Sequence, residues 1–168
     1  ADHHAAKPDV PFLLWLAYGA CHAPHQAPKD LIRKCDARFG HGWDEERAAR
    51  LKRQIKLGLV PQGTTLPDRN DWVRAWADHA PDERRLFTRL QAAYAAMLEH
   101  ADQHIGRLTQ FLATAGLDDN TIVLVLSDNG ASQEGGPLGF INAMGPYNFR
   151  GENLEEKLAR IDDIGGPD

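Results

Sequence analysis

The chain has 168 residues, enough for one hydrophobic core of ordinary size, and this length suggests a single domain. Hydrophobic residues make up 42% of it and charged residues 26%, which are values of a globular rather than a disordered protein. The net charge of -5 supplies no basic field, so we expect no nucleic-acid partner. No apolar run reaches the length of a membrane span, and no targeting leader that would fix the compartment is visible.

The first predicted element is a buried strand over residues 10–17 (VPFLLWLA). Its apolar pattern is continuous rather than alternating, which is typical of a strand that is covered on both faces in a parallel sheet. A helix is predicted over residues 44–57, because acidic side chains come first and basic ones later, the order that suits the helix macrodipole. Its basic residues are typical of a solvated face. Residues 58–80 are rich in proline and polar residues and predict a lid or surface excursion.

The strongest helix in the sequence is predicted to begin near Pro81 and to end near Gly116. Pro81 suits a first helical turn, and glycine is a good helix terminator. Apolar residues recur along this helix at steps of three and four and therefore share one face: Leu86, Leu90, Tyr94, Met97, Ala101, Ile105, Leu108 and Leu112. The helix leads into a second predicted buried strand over residues 121–126 (TIVLVL), so the two form half of a βαβ unit.

Together these elements predict an α/β fold, with part of a mostly parallel sheet flanked by helices. A short helix near the end fits the same pattern, because Asn153 and Glu156 form a capping box for a segment through Ile161. The sequence shows no internal repeat, and we expect residues 1–168 to belong to one domain.

Polar loops follow both predicted strands: GACHAPHQAP at residues 19–28 and SDNGAS at residues 127–132. Ligands of parallel α/β sheets lie beyond the carboxyl ends of the strands, so we expect the loops to meet at one edge. Asp128 and Asn129 offer a carboxylate and an amide oxygen, which are hard donors suited to Ca²⁺ or Mg²⁺. The alternative is an ordinary turn, for which Asp-Asn-Gly is also typical. Two donors cannot enclose a divalent ion, so further ligands must come from elsewhere.

The first loop carries Cys21, His22 and His25. A zinc site is disfavoured because no third ligand follows at a recognisable spacing, and Cys21 and Cys35 are expected to be unpaired thiols. A nucleophilic Cys21 beside His22 is conceivable, but neighbouring residues rarely point at each other. A histidine that acts on a bound anion or leaving group fits best, since imidazole can donate a proton near neutral pH. The alternative is a histidine satisfied within its loop, for His25 more than for His22.

Four stretches of the chain match a known pattern in order: PFLLWLAYGACHAPHQAP, AAMLEHADQHIGRLTQFL, DDNTIVLVLSDNGASQEGG and NLEEKLARIDDIGGP. Together they resemble bacterial arylsulfatases of the alkaline-phosphatase superfamily over nearly the whole chain. The resemblance implies an enzyme that hydrolyses small-molecule sulfate esters. It also implies a divalent cation, usually Ca²⁺, and a formylglycine nucleophile made from the cysteine or serine of a Cys/Ser-x-Pro-x-Arg motif.

The resemblance assigns roles to particular residues of the two loops. Asp128 and Asn129 match the family's second pair of metal ligands. His22 matches the histidine that hydrogen-bonds the sulfate ester and can assist the leaving group. His25 matches no universal catalytic position, and we expect it to line the substrate pocket.

The chain also departs from the family pattern, because neither cysteine lies in the modification motif. Cys21 is followed by His-Ala-Pro-His, and Cys35 by Asp-Ala-Arg-Phe. The resemblance places the nucleophile, its arginine and the first aspartate pair before residue 1, and a catalytic lysine after Asp168. We therefore expect residues 1–168 to be the central part of a single sulfatase catalytic domain, inactive alone. The alternatives are a catalytically silent remnant or binding module, and a phosphodiesterase or phosphonate hydrolase of the same superfamily.

Overall fold

Helices form the regular structure of the chain in the computed structural model, which describes residues 2–130, 135–136, 138–142 and 144–166, without the side chain of His3. The described α-helices are α1 (Asp2–Ala6), α2 (Lys29–Phe39), α3 (Trp43–Lys56), α4 (Pro81–Thr114) and α5 (Leu154–Ala159). Single 3-10 turns lie at Trp76–Asp78, Asp118–Asn120 and Pro146–Asn148. Of the helices in these ranges, none has the length and apolar character needed to cross a bilayer.

The predicted α/β fold with a mostly parallel sheet is wrong, since the described residues contain no β-strand. Residues 10–17 and 121–126, both predicted as buried strands, have no regular secondary structure. Their side chains face solvent: Leu13 is 95% exposed and Ile122 is 88% exposed. A strand exists only through backbone hydrogen bonds to a neighbouring strand, and no segment in the described ranges pairs with these two. A continuous apolar pattern indicates that a segment prefers burial, but it does not supply the neighbouring strand that a sheet requires.

Helix α4 confirms the long predicted helix, with both of its predicted end signals. Pro81 is its first residue, and the Glu83 carboxylate accepts a hydrogen bond from the Ala80 backbone N–H at 2.8 Å. At the other end Gly116 adopts a φ of +67°, a left-handed conformation that glycine reaches without a steric cost. Its N–H donates to the Ala113 carbonyl at 3.1 Å and closes the last turn.

Helix α2, which the sequence patterns did not predict, packs on α4 across small side chains. Ile32 is 1% exposed and Cys35 is 0% exposed, and they form one buried cluster with Ala92 and Ala96 of α4, which are fully buried. Small residues allow two helices to approach closely at their crossing. These alanines lie outside the apolar stripe predicted for α4, so the helix buries a second face.

Helix α5 and the turn after it cover another part of α4. The predicted capping box is confirmed, because the Glu156 N–H donates to Asn153 Oδ1 at 2.9 Å and the Asn153 N–H donates to Glu156 Oε2 at 2.8 Å. The helix ends at Ala159, before the predicted end at Ile161. A buried cluster joins this region to α4: Leu86, Ala93, Ile161 and Ile164.

Helix α3 confirms the helix predicted in its place, and the excursion at residues 58–80 packs on its first turn. The Asp44 carboxylate accepts hydrogen bonds from the Trp76 backbone N–H at 2.8 Å and from Arg69 Nη1 at 3.1 Å. These bonds, that of Trp76 above all, lower the pKa of Asp44. Gly42 has a φ of +85°, and a Cβ there would overlap the Trp76 ring. The role of residues 58–80 as a lid stays a prediction.

Candidate active site

Both polar loops that the sequence analysis selected line one cavity of about 950 Å³. The first loop contributes His22 and His25, and the second contributes Asp128 and Asn129. Residues of α3 and α4, residues 139–142 and residues 163–166 contribute to the lining as well. The structure therefore brings the predicted site residues around one space, although no sheet edge positions them within the described ranges.

His22 is exposed at this cavity, and its own loop orients its ring. The His22 backbone N–H donates to the Gly19 carbonyl at 2.9 Å, which turns the chain tightly before the histidine. The ring Nδ1 lies 2.7 Å from the Ala23 carbonyl oxygen. A carbonyl can only accept a hydrogen bond, so Nδ1 carries a proton, and in the neutral ring the basic nitrogen is Nε2. The loop thus selects Nε2 as the nitrogen that can exchange a proton.

His25 and Cys21 fasten the first loop to Tyr94 of α4. The rings of His25 and Tyr94 meet edge to face, with centroids 5.2 Å apart and planes at 85°. A hydrogen bond with the Cys21 side chain, together with burial, raises the pKa of Tyr94. Burial lowers the pKa of His25 below its ordinary 6.5, against the opposing effect of a hydrogen bond with the Cys21 backbone. His25 is therefore held towards its neutral form.

Both cysteines are free thiols, as expected, and their surroundings differ. Cys35 is 0% exposed in the contact between α2 and α4 and has no access to a substrate. Cys21 lines the cavity beside Tyr94, and its side chain contributes to the raised pKa of that phenol. Of the two thiols, only that of Cys21 is therefore open to the cavity.

Asp128 and Asn129 lie exposed in a turn at the second loop. Ser127 Oγ donates to the Asn129 carbonyl at 2.8 Å, and Asn129 Nδ2 donates to the Gly130 carbonyl at 2.7 Å. A carboxylate and an amide oxygen fit a hard divalent cation in kind. They do not fit it in number, since no group of three or more histidine, cysteine or acidic side chains among the described residues could hold a metal ion.

Two arginines of α3 line the cavity, where the sequence analysis predicted only a solvated face. Arg50 Nη2 lies 3.2 Å from Glu46 Oε1, and Arg47 Nη2 donates to the Pro67 carbonyl at 2.8 Å. Burial acts to raise the pKa of Glu46, but hydrogen bonds from His41 and Arg50 outweigh it and lower that pKa. Arg47 and Arg50 are three residues apart and therefore lie on one face of the helix. This spacing was the sequence signal that could have indicated a shared position at the cavity. The cavity lining thus combines these two guanidinium groups with the carboxylates of Glu46, Asp128 and Asp163.

The chain matches the family model described as Sulfatase over residues 2–160. It is 38% identical over 121 residues to an uncharacterized sulfatase of Schizosaccharomyces pombe, a match that covers 71% of this chain and 22% of that protein. It is 32% identical over 128 residues to an arylsulfatase of Klebsiella aerogenes, with 76% of this chain and 27% of that protein covered.

These matches identify the class of protein. It is a family of hydrolases that act on sulfate esters and generally use a metal ion and a formylglycine. The chain belongs to the Sulfatase family, which confirms the resemblance found in the sequence. Each match covers only about a quarter of the relative, 22% and 27% of the two lengths.

Proposed function

We propose that this chain is the part of a sulfate-ester hydrolase that contributes two metal ligands and a proton donor to one anion site. The observation that supports this proposal is the shared cavity of His22, Asp128 and Asn129 in a chain of the Sulfatase family. The nucleophile is assigned outside residues 1–168, because no cysteine or serine of the chain begins a Cys/Ser-x-Pro-x-Arg motif. The buried position of Cys35 and the engagement of Cys21 with Tyr94 agree with this assignment.

Asp128 and Asn129 would hold the divalent cation through their side-chain oxygens. When bound, such a cation neutralises the charge on the sulfate oxygens. We propose Ca²⁺, with Mg²⁺ as the alternative, because both ions prefer oxygen ligands. Ca²⁺ takes about six to eight oxygen ligands, so the two donors here are a minority of its coordination.

His22 is the proposed proton donor to the leaving group. As the sulfur–oxygen bond breaks, the proton on Nε2 of its imidazolium passes to the departing ester oxygen. The bond from Nδ1 to the Ala23 carbonyl keeps the ring oriented during this transfer. His25, which is held towards its neutral form against Tyr94, lines the pocket for the alcohol part of the ester and transfers no proton.

The proposal is tested with the full-length enzyme that carries residues 1–168, assayed on 4-nitrophenyl sulfate with excess Ca²⁺. Loss of general acid catalysis in His22→Gln should lower kcat by about 100-fold or more. His100→Gln is the matched control, because His100 lies on α4 outside the cavity lining. Unchanged turnover in His22→Gln would contradict the assigned role.

The same assay separates the alternatives. The isolated chain of 168 residues should give no turnover, since it lacks the nucleophile. Absence of sulfate-ester turnover in the full-length protein as well would support a silent remnant. Faster hydrolysis of bis(4-nitrophenyl) phosphate than of the sulfate ester would support a phosphodiesterase.

A further inference from the structure

Residues 138–142, named here the wall segment, form one side of the cavity. Gly139, Phe140, Ile141 and Asn142 line it. The segment has no regular secondary structure, yet charged side chains that do not themselves line the cavity hold it from behind. Its position therefore depends on those contacts and not on a helix or strand of its own.

Lys157 of α5 holds the first half of the wall segment by its carbonyl groups. Its Nζ donates to the Leu138 carbonyl at 3.1 Å and to the Gly139 carbonyl at 2.6 Å. The residue is 4% exposed, and this burial lowers the pKa of the amine, while the carboxylate of Glu152 acts in the opposite direction. A buried amine that lost these acceptors would leave its donors unsatisfied, so the contacts are strongly favoured.

Glu152 holds the second half of the wall segment by its amide groups. Its Oε2 accepts from the Ile141 N–H at 2.7 Å, and its Oε1 accepts from the Asn142 N–H at 3.1 Å. The side chain is 16% exposed, and Arg160 Nη1 lies 4.0 Å from Oε1. Hydrogen bonds to a charged acceptor are stronger than those between neutral groups. Lys157 thus binds the carbonyl groups of the wall segment, and Glu152 binds the N–H groups of the peptide units that follow.

Packing against α4 fixes the same segment from a third direction. Gly139 has a φ of +61°, and a Cβ there would come within 2.8 Å of the Leu90 side chain. Ile141 packs against the buried cluster that contains Leu86 and Ile161. A displacement of the wall segment would therefore disturb hydrogen bonds and packing contacts together.

We infer that Lys157 and Glu152 are positioning residues that set the size of the pocket for the alcohol part of the sulfate ester. The inference rests on the proposed function of this site. The wall segment presents Phe140 and Ile141 and no charged group to the cavity, so it suits the organic part of the ester and not the sulfate. A wall held at one distance discriminates between esters by the size of that organic part.

The test compares phenyl sulfate with the larger 2-naphthyl sulfate in the full-length enzyme and in Lys157→Met. Misplacement of the wall should change the ratio of kcat/KM for the two esters by about tenfold. Lys34→Met is the matched control, because this lysine has 63% of its side chain exposed and pairs with Glu99 away from the cavity. It should leave the ratio unchanged.

Glu152→Gln keeps the size of the side chain and decides the matter if Lys157→Met fails to fold. In this variant the amides of Ile141 and Asn142 should exchange their hydrogens for deuterium about tenfold faster, because a neutral amide oxygen accepts a weaker hydrogen bond than a carboxylate oxygen does. An unchanged ester ratio in folded Lys157→Met, or in Glu152→Gln, would overturn the inference and leave the proposed function standing. Absence of sulfate-ester hydrolysis in the unsubstituted enzyme would overturn both.

Discussion

Ile32 provides a sharp test of how the helices pack. It is 1% exposed between α2 and α4, and its buried neighbours there are Cys35, Ala92 and Ala96. Ile32→Ala removes the γ and δ carbons, each worth about 0.8 kcal/mol on transfer from water. It also leaves a cavity, and such truncations cost about 2–5 kcal/mol. We expect the upper half of this range, because the neighbouring side chains are too small to fill the space.

The measurement is the free energy of unfolding from urea denaturation followed by circular dichroism. Ile32→Val should cost only about 0.5–1.5 kcal/mol, since it removes a single methylene. Leu57→Ala serves as the surface control, because Leu57 is 65% exposed, and it should change stability by less than about 0.5 kcal/mol. A cost for Ile32→Ala below about 1 kcal/mol would refute the packing of α2 on α4 described above.

Three further predictions concern pH, a glycine and a helix cap. The pKa of His25 is lowered below 6.5 on folding. Its contribution to stability is therefore full above pH 6.5 and is lost as the pH falls through the folded pKa. The free energies of unfolding at pH 7.5 and pH 5 should differ less in His25→Gln than in the unsubstituted protein. Gly42→Ala should destabilise by at least about 1 kcal/mol, because its Cβ would overlap the Trp76 ring at a positive φ, and an unchanged thermal midpoint would contradict this. Asn153→Ala should cost about 0.5–2 kcal/mol by removing the cap of α5, whereas equal stability would show that the bond to Glu156 contributes nothing.

The sequence predicted best those elements whose signals are local. Helix α4 has Pro81 at its start and Gly116 after its end, and α5 has its capping pair in adjacent turns. Such cues act within a few residues and do not depend on the rest of the chain. Helix α2 escaped prediction because only Ile32 and Cys35 are buried in it, among charged neighbours.

The sheet could not be derived from residues 10–17 and 121–126, because strand formation depends on partners far away in the sequence. Their apolar character is plain, but every residue of the first segment is exposed in the structure. A strand needs both a suitable apolar pattern and a neighbouring strand to pair with. In the described part of the chain these two segments have the pattern but no such neighbour.

The candidate site could be predicted from the sequence where reactive side chains directly follow an apolar segment. Histidines and oxygen donors directly after apolar segments led to His22 and Asp128, which line one cavity in the structure. The sequence pattern shows Tyr94 only as a member of an apolar stripe, because Tyr94 and Cys21 come together only once the loop is folded onto α4. The same holds for Lys157, whose burial no local pattern indicates.

The most direct test of the central claim is the Ca²⁺ dependence of sulfate-ester hydrolysis in Asp128→Asn. The full-length enzyme is stripped of metal and assayed on 4-nitrophenyl sulfate over a range of Ca²⁺ concentrations, beside Asp119→Asn, which changes an exposed aspartate outside the cavity lining. We expect the Ca²⁺ concentration at half-maximal activity to rise by at least about tenfold in Asp128→Asn and to stay unchanged in the control. An identical Ca²⁺ dependence in all three proteins would contradict the claim that the turn after residues 121–126 binds the metal of this site.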